Sequence, residues 1–353
     1  MRAHLDQLGV SLRQHVKTAK SIDVARRVLR STERSITVST LKEAEYFLAH
    51  GIDDILYAVG VTPNKLDHVT DLRKRGARLA LILDNLDAAR AVAAHARTSA
   101  DRIPVMIEID CDGHRSGIVP DTPVLLEVGR ALAGGGCELR GVMTHAGNSY
   151  NCGSVAAIKA MAAQERDAVV AAANALRAAG LPCPVVSVGS TPTATYAEDL
   201  AGVTEVRAGV FVFFDLVMAG LQVCALDDIA VSVLASVIGH QRDKGWIIVD
   251  AGWMAMSRDR GTARQKLDQG YGLVCDALGR HYADLIVADA NQEHGIIALR
   301  PGARAALPEL PLGAQLRILP NHACATSAQH QAYQVVRGDA DAVSATWPRI
   351  AGW

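Results

Sequence analysis

Lys17 is the first residue of this chain whose type and position suggest covalent chemistry. It belongs to the apolar run SLRQHVKT (11–18), where strand alternation puts it on the same face as Arg13 and His15. An inward lysine at a strand end is a candidate Schiff-base amine, because partial burial lowers its pKa and supplies a neutral nucleophile. A solvated lysine at a rim is the simpler alternative.

The segment SVGSTPT (187–193) is a candidate phosphate site. The amides of Gly189, Ser190 and Thr191 and nearby hydroxyl groups precede a predicted helix, whose N-terminus attracts anions. The next run contains RAG (207–209), which offers another small residue beside a charge where barrels commonly complete a phosphate site. A capped turn without a ligand is the alternative.

Two further loops carry polar side chains that suit catalysis or orientation. Arg115 lies in the Gly-flanked loop DCDGHRSGI, where its guanidinium could engage an anion or a phenolate oxygen, or pair with a neighbouring aspartate. The loop THAGNSY contains the candidate acid, base or orienting groups His145, Asn148 and Tyr150. A polar loop that satisfies its own backbone is an equally good explanation of the second motif.

His322 and Cys324 are a candidate metal pair near the C-terminus. They stand two residues apart in LPNHACAT, so in extended chain both side chains lie on one face. Two protein ligands would leave an ion unsaturated, which suits a catalytic ion that takes water or substrate. Glu293 or His294 in NQEHG could add a ligand, although both could be surface residues.

The elements that must position these groups follow a repeating pattern. Between residues 11 and 215, eight short β-branched apolar runs alternate with Ala- and Leu-rich segments of helical period. This α/β pattern predicts a (β/α)₈ TIM barrel, whose strand ends and following loops share one rim. After about residue 225 strand-like runs dominate, so we expect a barrel domain at 1–225 and a mostly β domain at 226–353.

Composition excludes several classes of protein. The 353 residues include 36 basic and 37 acidic side chains, so the net charge of −1 gives no general attraction for nucleic acid or a membrane surface. No apolar stretch of membrane-spanning length and no signal-peptide pattern occurs. Seven scattered cysteines without a CxxC pair fit a reducing cytoplasm. We therefore expect a cytoplasmic protein whose partners are small molecules or other subunits.

The motifs together resemble a known family. HVKTAKS, EIDCDGHRSG, THAGNSY, VGSTPT, EVRAGVFVFFD, DAGWMAMSRD, NQEHG and LPNHACAT occur in the order seen in the D-serine dehydratase and D-threonine aldolase family. These are alanine-racemase-like, fold-type III pyridoxal-phosphate enzymes, and the resemblance covers nearly the whole chain. It implies pyridoxal 5'-phosphate in the barrel, a divalent ion on the β domain, and a homodimer with active sites near the subunit boundary.

The resemblance also implies roles for individual residues. Lys17 matches the lysine that binds the cofactor covalently, Arg115 the arginine facing its phenolic oxygen, and Tyr150 a tyrosine lining its site. Arg207 stands where alanine racemases place an arginine against the pyridine nitrogen, and an unprotonated nitrogen weakens the ring as an electron sink. The phosphate cradle matches the GSTPT turn and the backbone of Gly209 and Val210.

The resemblance also has implications for the metal pair and for the N-terminus. His322 and Cys324 match the family's metal ligands; cysteine favours Zn²⁺, with Mn²⁺ possible. His-x-Cys is associated with dehydratases, whereas aldolases more often show His-x-Asp. Family members usually begin with an extra segment that adds a strand to the β domain, and with Lys17 only sixteen residues from Met1 we expect that strand to be absent.

The predicted activity is dehydration and deamination of a D-3-hydroxy amino acid. D-serine, giving pyruvate and ammonia, is the leading substrate, with D-threonine or a 3-hydroxyaspartate as alternatives. Lys17 would remove the α-proton, and the ion on His322 and Cys324 would assist departure of the β-hydroxyl group. The rival lyase reaction is aldolase cleavage to glycine and an aldehyde. A racemase, a non-catalytic pyridoxal-phosphate carrier and a metal hydrolase explain fewer of the motifs.

Overall fold

The computed structural model describes residues 1–338 and 342–352, which form two compact units, Met1–Gly209 and Val210–Ala351. By its contacts, the segment 210–225 groups with the second unit, whereas the sequence suggested a boundary after residue 225. The assignment of the cofactor to one domain and of the metal pair to the other stays a prediction. No helix in the described ranges is long and apolar enough to cross a membrane.

Eight parallel strands close into a barrel in the first unit. They pair in chain order, and the last strand pairs with the first, with Arg13 beside Arg207. This confirms the predicted (β/α)₈ barrel. The strands are β1 (Ser11–His15), β2 (Ser35–Val38), β3 (Asp54–Gly60), β4 (Arg78–Leu83), β5 (Pro104–Ile109), β6 (Glu138–Thr144), β7 (Val185–Val188) and β8 (Glu205–Ala208).

Helices alternate with these strands, and side-chain caps mark several helix starts. Thr40, Asn85 and Ser154 each accept a hydrogen bond from a backbone amide three residues later, which satisfies a donor that has no partner within the helix. The sequence did not indicate the two short helices α1 and α2. The helices are α1 (Arg2–Gln7), α2 (Ile22–Val28), α3 (Leu41–Ala49), α4 (Leu66–Lys74), α5 (Leu86–Ser99), α6 (Pro123–Gly134), α7 (Val155–Ala178) and α8 (Thr191–Tyr196).

The barrel encloses charge as well as apolar side chains. Arg13 bridges two carboxylates, with Nη1 2.9 Å from Asp54 Oδ1 and Nε 2.8 Å from Glu205 Oε2. Burial opposes ionisation of Glu205, but the charge and hydrogen bonds of Arg13, with a hydrogen bond from Ser187, hold its pKa below the usual value. The pair is therefore charged at neutral pH and fixed at the barrel wall.

The second unit contains six antiparallel strands that also close on themselves. Val233, Ala235 and Val237 are buried while Leu234 and Ile238 are exposed, which is the alternation of a strand with one face on a core. The predicted mostly β domain is confirmed, although the sequence did not indicate β11, β12 or β16. The strands are β9 (Val233–Gln241), β10 (Trp246–Val249), β11 (Gly272–Asp276), β12 (His281–Ala290), β13 (Gly295–Leu299) and β14 (Gln315–Pro320), with β15 (Ala332–Val335) and β16 (Ala345–Pro348) pairing separately. Three short helices, α9 (Leu216–Gly220), α10 (Trp253–Met256) and α11 (Ala323–Ser327), complete the unit.

Gly141 lies where the backbones of two barrel strands, β6 and β7, approach each other closely. It has a φ of +150°, and a Cβ there would collide with the carbonyl group of Val185 on β7. We expect Gly141→Ala to lower the free energy of unfolding by about 2–4 kcal/mol, measured by urea denaturation, because backbone must move. Gly153→Ala is the matched control, since its Cβ would meet nothing within 4 Å. Equal stability of the two variants would contradict this account.

Candidate functional site

Lys17 lies at the carboxyl-end rim of the barrel, in the turn after β1. Its side chain is exposed, and its positive charge is close enough to His15 and His145 to lower the pKa of both imidazoles. The structure thus brings the predicted lysine together with His145 of the β6 loop. It also adds His15, for which the sequence had suggested no chemical role.

Both histidines are neutral at physiological pH. Burial, then the charge of Lys17, lowers the pKa of His145 to about 3, and the same two causes put that of His15 well below its usual value. His145 Nδ1 is 2.6 Å from the carbonyl oxygen of Gly189. Because a carbonyl only accepts, Nδ1 carries the hydrogen, and Nε2 of the neutral ring is left as an acceptor.

Arg207 on β8 places a buried guanidinium inside the barrel. It donates hydrogen bonds to Ser187 Oγ and, at 2.5 Å, to the carbonyl oxygen of Thr144. Burial lowers its pKa, and the nearby carboxylates of Glu205, Glu165 and Glu108 act in the opposite direction. The predicted position against a pyridine nitrogen stays a prediction, but the guanidinium is fixed from two sides.

The predicted phosphate residues lie in the β7–α8 turn and directly after β8, and their environments differ. A Cβ on Gly189 (φ +152°) would collide with the backbone of Arg207, and one on Gly209 would lie 2.9 Å from the carbonyl oxygen of His15. Both glycines therefore allow close approach of backbones. Ser190 caps α8. Thr191 is 1% exposed, and its Oγ1 has no hydrogen-bond partner among the described residues. An orphaned buried hydroxyl at a helix start fits a phosphate oxygen.

The remaining predicted cofactor residues are Arg115, Tyr150 and Val210. Arg115 is exposed, and its charge acts on the pKa values of Glu108 and His145. The Tyr150 and His145 ring centroids are 6.2 Å apart. Val210 directly follows Gly209 and is buried. Lys17, Arg115, Tyr150 and Thr191 are therefore grouped in one unit with two neutral histidines.

The aspartates near Arg115 have other partners. Asp110 Oδ1 accepts from the amide of Gly113 at 2.7 Å, and Asp112 Oδ2 accepts from that of Asn148 at 2.8 Å. The ion pairs of the described residues do not join Arg115 to either aspartate, so that alternative is wrong here. Asn148 ties the β5 loop to the β6 loop, an orienting role within the protein.

In the predicted metal pair of the second unit, His322 is held by a residue that the sequence did not single out, Asp259. His322 Nδ1 is 2.8 Å from Asp259 Oδ2, and the imidazole also hydrogen-bonds to Cys324. Burial opposes a charge on His322, but these hydrogen bonds and charges raise its pKa to about 11. Asp259 was inside the motif DAGWMAMSRD, but spacing alone did not connect it to His322.

The local conformation of the pair differs from the sequence expectation. His322 is the N-cap of α11 and Cys324 is inside that helix, so the two side chains meet through a helix start rather than along an extended strand. The described residues contain no cluster of three or more His, Cys, Asp or Glu side chains that could hold a metal, so neither Glu293 nor His294 joins them. A nitrogen and a sulfur donor fit a borderline divalent ion with open positions.

Comparison with known proteins agrees with this architecture. Residues 1–217 match the family model for the alanine racemase N-terminal domain, and residues 230–336 match that for a putative serine dehydratase domain. These two domains define an alanine-racemase-like barrel joined to a dehydratase module. The chain belongs to the D-serine dehydratase and D-threonine aldolase family of fold-type III pyridoxal-phosphate enzymes, as its motifs predicted.

Relatives match over nearly the whole chain. D-threo-3-hydroxyaspartate dehydratase of Delftia sp. (strain HT23) is 58% identical over 356 residues, covering 100% of this chain and 93% of the relative, and its solved structure gives a TM-score of 0.95. D-serine dehydratase of Dictyostelium discoideum is 28% identical over 368 residues, covering 99% and 92%. A D-threonine aldolase structure from Filomicrobium marinum has 27% identity, covers 99% and 90%, and has a TM-score of 0.80.

These relatives are dehydratases and aldolases, so the chain is an enzyme of the lyase class. A D-threo-3-hydroxyaspartate dehydratase has also been solved as a cysteine-to-alanine variant in a metal-free form, with a TM-score of 0.95, 57% identity, and coverage of 100% of this chain and 93% of that one.

The neutral state of His145 predicts a pH dependence of stability. Its pKa falls on folding from the ordinary histidine value of 6.5 to about 3, so below pH 6.5 the unfolded chain binds the extra proton and stability is lost as pH drops toward 3. We expect His145→Asn, whose amide can still donate to Gly189, to remove up to about 1.4 kcal/mol per pH unit from this slope between pH 6.5 and 5. Urea denaturation across this range measures it, and parallel slopes for wild type and variant would refute it.

Proposed function

We propose that this chain dehydrates a D-3-hydroxy amino acid with pyridoxal phosphate and a divalent metal ion. D-threo-3-hydroxyaspartate is the first substrate to test and D-serine the second, because the relative that is 58% identical over the whole chain is named for the former. The observation that carries the proposal is the contact between His322 and Cys324, with the imidazole of His322 held by Asp259. A metal ion on such a pair would assist the departure of a hydroxyl group, whereas removal of the α-proton alone would not use it.

The barrel residues would hold the cofactor. When bound, pyridoxal phosphate supplies an electron sink for the charge that develops at the substrate's α-carbon. Thr191 Oγ1 and the backbone of Gly209 and Val210 would hold the phosphate, and Arg115 would face the phenolic oxygen. Arg207 has no acceptor for a hydrogen on the ring nitrogen, so a ring bound beside it would be a weak sink. Tyr150 would line the site.

Lys17 would bind the cofactor and, once released from it, remove the α-proton with Nζ. Its two imidazole neighbours support this role because they are neutral, so His15 and His145 add no positive charge to a rim that already contains Arg115 and Arg207. Nε2 of His145 is available to accept a hydrogen bond from an amine.

His322 and Cys324 would hold the metal ion, with Zn²⁺ favoured by the sulfur donor and Mn²⁺ as the alternative. The ion would act as a Lewis acid on the β-hydroxyl group, which supplies several kcal/mol of charge stabilisation where the ring sink is weak. A related dehydratase solved as a cysteine-to-alanine variant in a metal-free form supports metal binding in this family. A homodimer in the cytoplasm completes the proposal.

D-threonine-type aldolase activity is the second candidate. It has the support of a full-length relative with the same fold, the Filomicrobium marinum enzyme. The cysteine at position 324 favours dehydration, since the resemblance associates His-x-Asp with aldolases. The two reactions break different bonds, Cβ–O in dehydration and Cα–Cβ in cleavage, so their products separate them.

The products from D-threo-3-hydroxyaspartate test the reaction. We expect the purified holoenzyme to release oxaloacetate and ammonia from it, and pyruvate and ammonia from D-serine more slowly. Lys17→Ala should abolish both turnover and cofactor absorbance in the visible range. Lys20→Ala is the matched control, because Lys20 pairs with Glu43 at 3.0 Å. Glycine and glyoxylate as the products would instead establish aldol cleavage.

Asp259 provides a test of the metal pair. Asp259→Asn keeps an acceptor for His322 Nδ1 but loses the charge, so we expect about 10–100-fold weaker Zn²⁺ or Mn²⁺ binding, measured by equilibrium dialysis. Asp243→Asn, an exposed position of the same unit, should bind metal like the wild type. Full turnover after complete chelation, or unchanged metal affinity of the Asp259 variant, would count against the assignment.

A further inference from the structure

Glu165 is a buried carboxylate to which neither the sequence motifs nor the proposed reaction gives a role. It lies on α7 with 2% of its surface exposed. Oε1 accepts from the amides of Ala146 and Gly189, both at 2.9 Å, and Oε2 accepts from Thr193 Oγ1 at 2.7 Å. One side chain thus joins the loop after β6 to the turn after β7.

The carboxylate sets the direction of a chain of hydroxyl groups. Thr193 has one hydroxyl hydrogen and gives it to Glu165, so in the 2.9 Å bond between Ser190 Oγ and Thr193 Oγ1 the donor must be Ser190. The 2.9 Å bond between Ser149 Oγ and Ser190 Oγ must then be donated by Ser149. The hydroxyl hydrogens of Ser149, Ser190 and Thr193 are therefore all used in hydrogen bonds within the protein.

This direction decides which groups of the β7–α8 turn remain for a ligand. The amide of Gly189 is bound to Glu165, and the amide of Ser190 donates to Thr193 Oγ1 at 3.2 Å. The hydroxyl hydrogen of Ser190 is used as well. Thr191 is different, because its buried Oγ1 has no partner and its amide opens α8, where helical amides lack an internal acceptor.

We propose that Glu165 is a positioning residue for the phosphate end of the cofactor. It pins the β7–α8 turn against the β6 loop and commits the Ser190 hydroxyl group, so that Thr191 is the hydroxyl that contacts the phosphate. The inference rests on the proposed function, since it concerns the same cofactor. Three donors converge on Glu165, and a carboxylate, which only accepts, satisfies all three; burial raises the pKa of Glu165, and these three hydrogen bonds act in the opposite direction.

Glu165→Gln changes this pattern without changing the volume of the side chain. If its Oε1 keeps the two amides, its NH₂ group faces Thr193 Oγ1 as a donor, and the hydroxyl chain must reverse toward Ser190 and Ser149. A role in stability alone would affect unfolding but leave the preference for a phosphorylated ligand unchanged. The ratio of the dissociation constants of pyridoxal and pyridoxal phosphate isolates that preference.

The test is fluorescence titration of the full-length apoenzyme with pyridoxal phosphate and with pyridoxal. We expect Glu165→Gln and Thr191→Val each to lower the ratio about tenfold, whereas Ser190→Ala lowers it less. Glu127→Gln, exposed on α6, and Thr195→Val, whose hydroxyl bonds the carbonyl group of Thr191 within α8, are matched controls and should keep the wild-type ratio. Circular dichroism checks that each variant is folded.

The outcomes separate this inference from the proposed function. A wild-type protein that shows no preference for pyridoxal phosphate overturns the cofactor assignment itself. A wild type with a strong preference and an unchanged ratio in Glu165→Gln overturns the role of Glu165 alone, and loss of preference in Ser190→Ala but not Thr191→Val overturns the choice of hydroxyl. If Glu165→Gln does not fold, Thr193→Val is the second variant, because it removes the hydroxyl group that donates to Glu165. An unchanged ratio of dissociation constants in Thr193→Val would also overturn the role of Glu165.

Discussion

One chain of hydrogen bonds inside the barrel connects the buried charges. Arg207 donates to Ser187, Ser187 donates to Glu205 at 2.8 Å, and Glu205 accepts from Arg13, which also bridges to Asp54. Two guanidinium groups and two carboxylates are thereby satisfied away from water. Because leaving one member of a buried pair without its partner costs about 3–5 kcal/mol, these side chains have little freedom to move. The position of the Arg207 guanidinium is therefore fixed by this chain of hydrogen bonds.

That constraint has an electrostatic consequence at the rim. Arg207, Arg115 and Lys17 lower the pKa of His145, which burial has already lowered, so the imidazole does not compete for protons at neutral pH. The cations therefore face a neutral acceptor, and the carboxylates of Glu205, Glu165 and Glu108 lie close enough to Arg207 to act on its pKa. Cations beside a neutral imidazole suit the proposed cofactor, which carries a phosphate and a phenolate and would bind to Lys17 in this unit of the chain.

Much of the barrel could be predicted because its strands are buried on both faces and read as apolar runs, with polar residues such as Lys17, His145 and Arg207 at or near their ends. In the second unit the sequence did not indicate β12, because Asp284 interrupts its apolar run. In the structure Asp284 has a φ of +56°. Glu165 and Asp259 could not be found by spacing. A glutamate within a helix looks like a surface residue, and its burial depends on loops 19 and 24 residues away.

In the proposed elimination, the two kinds of site would serve different halves of the reaction. Removal of an α-proton needs a base and a sink, which the barrel groups around Lys17 can provide with a cofactor. Loss of hydroxide needs a stabilised leaving group as well, which a metal ion on His322 and Cys324 would supply in the proposed reaction. A chain that only exchanged α-protons would gain nothing from an oriented His-x-Cys pair, nor from the carboxylate that holds the imidazole at 2.8 Å. Asp259, Asn321 and Thr262 form a hydrogen-bonded support for that imidazole, with Asn321 donating to the carbonyl of Asp259 at 3.0 Å and accepting from Thr262 at 2.7 Å. Three polar side chains therefore orient one imidazole, which fits the proposed role of His322 as a metal ligand.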